Sequence, residues 1–245
     1  MMSPKVFSPA QDGDLSGGAP HSLPDGRVLW LLPERAAWLP EAGLLMVADV
    51  HFGKAASFRR LGVPVPQGTT EANLSRLDAL LARLPGVREL VFLGDFLHAA
   101  SGRAPATLQT LLDWRQRHAD LPITLVRGNH DGHAGDPPAA LDMLVVDEPW
   151  LQAGLALCHD PATPRPQGFT AVAGHLHPVT RLGRGFDKLR LACFHARGDG
   201  VLVLPAFGEF TGGAVVRPQA GDSLYLVTGD RVLPLPAPQR AGGAV

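Results

Sequence analysis

Five short apolar runs, each closed by carboxylate, amide or imidazole side chains, set the limits on what this chain can fold into. Residues 44–48 lead into Asp49-Val50-His51, and 90–93 into Gly94-Asp95. Residues 123–126 lead into Gly128-Asn129-His130, 155–158 into His159, and 170–173 into Gly174-His175-Leu176-His177. Apolar runs of that length read as buried strands. The polar groups therefore stand where strands end and loops begin, the edge on which open α/β sheets build their sites.

The residue types point to metal-assisted phosphate chemistry. Asp49, His51, Asp95, Asn129, His159, His175 and His177 are candidate ligands for two divalent cations. Two cations roughly 3.5–4 Å apart can clamp the attacking and leaving oxygens of an in-line displacement and make water a nucleophile near neutral pH. An anion with two oxygens must bridge them, and Asp95 is the candidate. Neutral imidazoles and an amide complete the shells without adding charge that repels phosphate. Mixed N/O ligation without thiolate suits Mn best, with Fe or Zn possible, over Ca or Mg. The leaving alkoxide needs a proton, and His130, beside Asn129, is placed to give it.

This ordered set resembles the signature of the calcineurin-like metallophosphoesterases over about residues 27–235. The resemblance implies an α/β fold, a sandwich of two mixed β-sheets flanked by helices. It implies that Asp49, His51, Asp95 and His177 hold one metal, that Asp95, Asn129, His159 and His175 hold the other, and that His130 is the general acid. The segment from Asp49 to Gly68 and the closing Leu204-Pro205-Ala206-Phe207-Gly208-Glu209-Phe210-Thr211-Gly212-Gly213 resemble a narrower group, the bacterial ligase-associated DNA damage response endonucleases. That implies a DNA substrate and association with a DNA ligase and a helicase. The usual Leu between the first Asp and His is Val50 here, a conservative change. Asp95-Phe96-Leu97-His98 is similar to the Asp-x-x-His of double-strand-break repair nucleases, which implies that His98 assists at the phosphate.

Composition narrows the partners. The 245 residues suit one domain, and 45% hydrophobic with 18% charged residues is ordinary for a globular protein. A net charge of −1 gives no global attraction for nucleic acid, although bound metals add local positive charge. Lys54, Arg59, Arg60, Arg103 and Arg127 are the basic residues nearest the motifs, and Arg59 and Arg60 are the candidates for substrate binding. Cys158 and Cys193 make no disulfide framework; the side chain of Cys158 is expected to face away from that of His159. With no apolar run of 18 or more residues and no signal-like start, the expected location is the cytoplasm.

Residues 1–26 are expected to be a flexible arm, 27–235 the domain, and 236–245 a disordered tail. A hairpin is expected across 36–48, a long loop over 49–68, helices over 69–84 and 105–118, and mostly strands from 143 to 235. Thr69 or Thr70 is expected to cap the first helix. His21, His118 and His195 read as structural, His133 can line the cleft, and Glu209 can order the site or cap a turn. The ligand set defines the scissile phosphate and not what hangs from it. A DNA-directed nuclease is therefore the first reading, and a phosphatase or phosphodiesterase of small nucleotides the alternative. A binding module without catalysis conflicts with the complete ligand set.

Overall fold

The computed structural model describes residues 13–60, 62–63, 68–98, 103–183, 189–209 and 211–235. The side chains of Arg60, His133 and Ala134, and the expected tail 236–245, lie outside the described residues.

The first sheet has seven strands in chain order: β1 (Ala19–Ser22), β2 (Val28–Leu32), β3 (Ala36–Leu39), β4 (Leu44–Ala48), β5 (Glu89–Leu93), β6 (Ile123–Val126) and β7 (Leu144–Val146). β1 to β4 are antiparallel meanders, while β4, β5, β6 and β7 run parallel. The parallel strands are apolar throughout because both of their faces are covered. Leu45 and Val47 turn to one face and pack with Leu74, Leu77 and Leu80 of α2 (Thr69–Arg83) and with Leu111 and Trp114 of α3 (Pro105–Arg117). Leu44, Met46 and Ala48 turn the other way, onto the second sheet. This is the two-residue alternation of a strand.

The second sheet has nine strands among the described residues. They are β8 (Trp150–Gln152), β9 (Leu155–Leu157), β10 (Thr170–Ala173), β11 (Pro178–Leu182), β12 (Leu189–Ala196), β13 (Val201–Val203), β14 (Ala214–Val215), β15 (Ser223–Val227) and β16 (Val232–Leu235). β9, β10 and β13 run parallel. Leu155, Leu157, Val172, Phe194 and Leu202 of this sheet meet Leu29, Leu31, Met46, Val91 and Leu93 of the first, which forms the core between the sheets. The expected α/β sandwich of two mixed sheets is the fold observed.

Several local expectations differ. Within the expected arm 1–26, Ala19–Ser22 pairs with Val28–Leu32, and Asp14 N–H donates to the Arg83 carbonyl at 3.0 Å. Pro20 is tolerated there because β1 is an edge strand, with one side free of ladder bonds. The expected loop 49–68 contains a helix, α1 (Lys54–Arg60). The cap of α2 is Gly68 in the left-handed conformation, with no side-chain capping bond from either Thr. β8, β11 and β14 are short or polar, and their pattern in the sequence was too weak to read. Both cysteines are free and buried. Cys158 packs with Ala156, Ala171 and Val203 on the outer face of the second sheet. Burial pushes both thiols up to about 12. No helix among the described residues is long and apolar enough to cross a membrane.

Candidate metal centre

Each candidate ligand follows the C-terminal end of a strand, or lies just beyond it. Asp49 and His51 follow β4, Asp95 follows β5, and Asn129 opens the short helix α4 (Asn129–Ala134) after β6. His159 follows β9, while His175 and His177 follow β10. Because β4, β5 and β6 are parallel in one sheet and β9 and β10 in the other, these ends can share one rim. One bond joins the two halves there, His175 N–H donating to Asp49 Oδ2 at 2.9 Å, while Gly174 N–H donates to the His159 carbonyl at 3.0 Å within the second sheet.

The local backbone is bent to the purpose. Asp49, His51, Asp95, His175 and His177 all have left-handed φ, from 44° to 68°. Non-glycine residues rarely adopt that region, and clusters of them mark functional sites. Two glycines permit the close approach of the sheets. A Cβ on Gly94 would lie 2.1 Å from His159 Nδ1, and one on Gly174 would lie 2.7 Å from Asp49 Oδ2.

The side chains converge. Asp49, His51, Asp95 and His177 each offer one ligand atom, all within 4.8 Å of one another. Asp95 turns its two oxygens to different neighbours: Oδ1 is 3.5 Å from His159 Nε2, and Oδ2 is 3.7 Å from His51 Nε2. His177 Nε2 is 3.4 Å from Asp49 Oδ1. Asn129 Oδ1 is 2.8 Å from His159 Nε2, and His175 Nδ1 is 3.0 Å from the same atom.

The donor set fits cations. His159 donates its Nδ1–H to the Leu93 carbonyl at 3.2 Å. A neutral imidazole has a single N–H, so Nε2 presents a lone pair to the oxygens of Asn129 and Asp95, both acceptors. Of the neighbours named, His175 Nδ1 at 3.0 Å can donate to that lone pair, whereas the two oxygens cannot, and a cation among them would offset their repulsion. His177 likewise donates Nδ1–H to the Gly212 carbonyl at 3.2 Å, and its Nε2 is buried without a hydrogen-bond partner. Both ring nitrogens of His51 are buried without partners. Buried unpaired groups of this kind call for a ligand. Burial, reinforced by the charges of Lys54 and the neighbouring histidines, pushes His51 down to about 2. The ring is therefore neutral and able to ligate.

His130 and His98 stand beside this cluster. His130 donates Nδ1–H to the His98 carbonyl at 3.0 Å, and Nε2 lies 4.0 Å from Asp95 Oδ2. The His98 ring stacks on the His130 ring with centroids 5.6 Å apart. Burial, then Lys54 and His130, pushes His98 down to about 4. Arg59 is exposed on α1 and lines a groove with Gly68, Thr69 and Thr107, whose lining contains none of the ligand candidates. His195 is held by Asp222 at 2.8 Å and His118 by Asp78 at 2.7 Å.

Sequence reasoning gave no role to Asp131 or Glu148, and it read the closing segment as a motif without its docking. Asp131 accepts hydrogen bonds from Phe96 N–H at 3.0 Å and Gly128 N–H at 2.9 Å, tying the Asp95 loop to the Asn129 loop. Burial raises its pKa, with the Asp95 charge adding to the rise. Glu148 accepts from His159 N–H and Asp160 N–H at 2.5 and 2.8 Å. The closing segment docks on β4: Phe207 N–H donates to the Ala48 carbonyl at 2.8 Å, and Gly208 N–H to the Asp49 carbonyl at 3.1 Å. The capping position of Asp131, three residues after Gly128, was the one signal available in the sequence.

The sequence pattern of the calcineurin-like phosphoesterases matches residues 44–195. Among solved structures, a Pseudomonas putida nuclease MPE is 49% identical, with a TM-score of 0.78, covering 89% of this chain and 100% of that one. No curated protein matches this chain.

Proposed function

The chain belongs to the calcineurin-like phosphoesterases and is a metal-dependent phosphoester hydrolase, and from that premise we propose that it cleaves phosphodiester bonds in DNA. The observation that carries the reading is the convergence of Asp49, His51, Asp95 and His177, with Asn129, His159 and His175 in contact beside them and His130 Nε2 facing Asp95. Likeness to a nuclease at 49% identity supports a polynucleotide over a small ester. Resemblance to the ligase-associated endonucleases supports a role in DNA damage repair in the cytoplasm, beside a DNA ligase and a helicase.

Asp49, His51, Asp95 and His177 would hold one divalent cation, and Asp95, Asn129, His159 and His175 the other, with Mn²⁺ the preferred ion. Such a pair supplies charge neutralisation at the phosphate and a nucleophile near neutral pH. Asp95 suits the bridge because its two oxygens face different ligand groups. His130 gives the proton to the leaving oxygen from Nε2, because its Nδ1–H is already committed to a carbonyl. His98 orients His130 by that carbonyl and by the stacked ring.

The test is hydrolysis with Mn²⁺ of a bis-aryl phosphodiester, an aryl phosphomonoester, and labelled single- and double-stranded DNA, with Asp95→Asn as control. DNA cleavage abolished by the substitution is the expected result. Ester turnover without DNA cleavage would replace the reading with a small-molecule phosphoesterase.

A further inference from the structure

A second polar cleft, of about 710 Å³, opens on the same rim as the metal centre. Arg35, Arg76, Arg83, Arg190 and Arg231 line it against only two carboxylates, Glu34 and Asp230. In a chain of net charge −1, this is a concentrated positive field.

Topology fixes its place. β3 is antiparallel to β4, with Ala36 opposite Val47, so the β2–β3 turn carrying Glu34 and Arg35 lies beside the end of β4 that bears Asp49. β12 is antiparallel to β13, with His195 opposite Val203, and β13 is parallel to β10. The start of β12, with Arg190, therefore lies at the end of the sheet from which His175 and His177 emerge. β15 is antiparallel to β12, which brings Asp230 and Arg231 to that end too. Neighbouring strands are roughly 5 Å apart, so the cleft begins about one or two strand spacings from the ligands.

Two of the five guanidiniums are paired with carboxylates among the described residues, and three are not. Arg83 pairs with Glu34 at 2.7 Å and Arg76 with Glu209 at 3.0 Å. Arg35 donates to the Ala206 carbonyl at 3.3 Å, and Arg190 to the Gly213 carbonyl. A neutral carbonyl leaves the positive charge uncancelled. Among the described ion pairs, none includes Arg35, Arg190 or Arg231. Forked guanidinium donors match phosphate oxygens.

We propose that this cleft binds the phosphodiester backbone of a single strand whose scissile phosphate lies at the metal centre. The proposal rests on the polynucleotide reading above. A strand held at one phosphate must lead its next phosphates across the rim, and the arginine cleft offers them a run of positive charge there. Because Arg76 and Arg190 also hold the closing segment at Phe207 and Gly213, the informative change is at exposed Arg231.

The experiment measures binding of a nuclease-resistant phosphorothioate 12-mer to Mn²⁺-loaded protein by fluorescence anisotropy, across a salt series. Bis-aryl phosphodiester turnover is followed in parallel as the check on the hydrolase reading. Affinity for single strands falls with salt at a slope of about −0.7 per phosphate contact, so loss of one contact costs about 5-fold at 0.1 M salt. Arg231→Glu is expected to weaken the 12-mer by 5-fold or more and flatten the salt slope by about 0.7, with diester turnover within twofold of wild type. Arg231→Lys is expected to restore most of the binding. Equal affinity and slope in wild type and Arg231→Glu would overturn the cleft, as would displacement of the 12-mer by a mononucleotide at matched phosphate concentration. Loss of diester turnover in the wild-type protein would instead strike the hydrolase reading.

Discussion

The contacts of His130 leave one ring nitrogen for the task proposed for it. A protonated imidazole has two N–H groups, and the His98 carbonyl takes one of them. The other faces the Asp95 carboxylate edge, where a leaving oxygen would depart. His130→Ala is expected to leave metal content unchanged while cutting turnover about 10²–10⁴-fold on an ester with a poor leaving group. The loss should shrink on an aryl ester, whose leaving group needs no proton. An equal loss on both substrates, read from kcat, would remove the proton-donor role and leave a binding role. Asp131 acts at the same scale without touching substrate: two N–H groups from two loops end on its carboxylate.

At the scale of elements, the strand ends decide the site. The apolar runs before Asp49, Asp95, Asn129, His159 and His175 are the parallel strands β4, β5, β6, β9 and β10, and those were legible because strands buried on both faces have an unbroken apolar signature. Edge strands have no such signature. β1 carries Pro20, and β14 is two residues long and exposed; both form because a neighbour offers free backbone groups, which no local pattern records. The candidate ligands were legible as types at strand ends, and the closing segment as a motif, whereas Asp131, Glu148 and the docking of that segment were not, since these depend on which loops meet. Gly94 joins the two levels. Gly94→Ala would set a methyl against the His159 ring on a backbone with φ of +75°. The strained conformation alone is expected to cost roughly 1–3 kcal/mol. Elemental analysis should find one metal lost with the displaced His159, and a denaturation midpoint should fall. Retention of both metals at unchanged stability would refute the close-approach account.

Taken as a whole, the molecule keeps two rings, His51 and His98, in neutral form at its rim. His98 is pushed down to about 4 and His51 to about 2, against an ordinary value near 6.5. The unfolded chain therefore takes up protons first as pH falls, and stability drops with it. The metal-free protein is expected to lose melting temperature progressively from about pH 6.5 towards pH 4. His98→Gln should flatten the upper part of that decline, and parallel melting curves for the two proteins would show that His98 does not contribute. The ligands have a further consequence. Asp49, His51, Asp95 and Asn129 emerge from one sheet, and His159, His175 and His177 from the other, so either cation would grip both. Each ion would then work as a rivet through two plates. An ion present at a hundredfold excess over its dissociation constant adds about 2.7 kcal/mol to the assembled state, so chelation would loosen the seam of the sandwich in the same act that stops the chemistry.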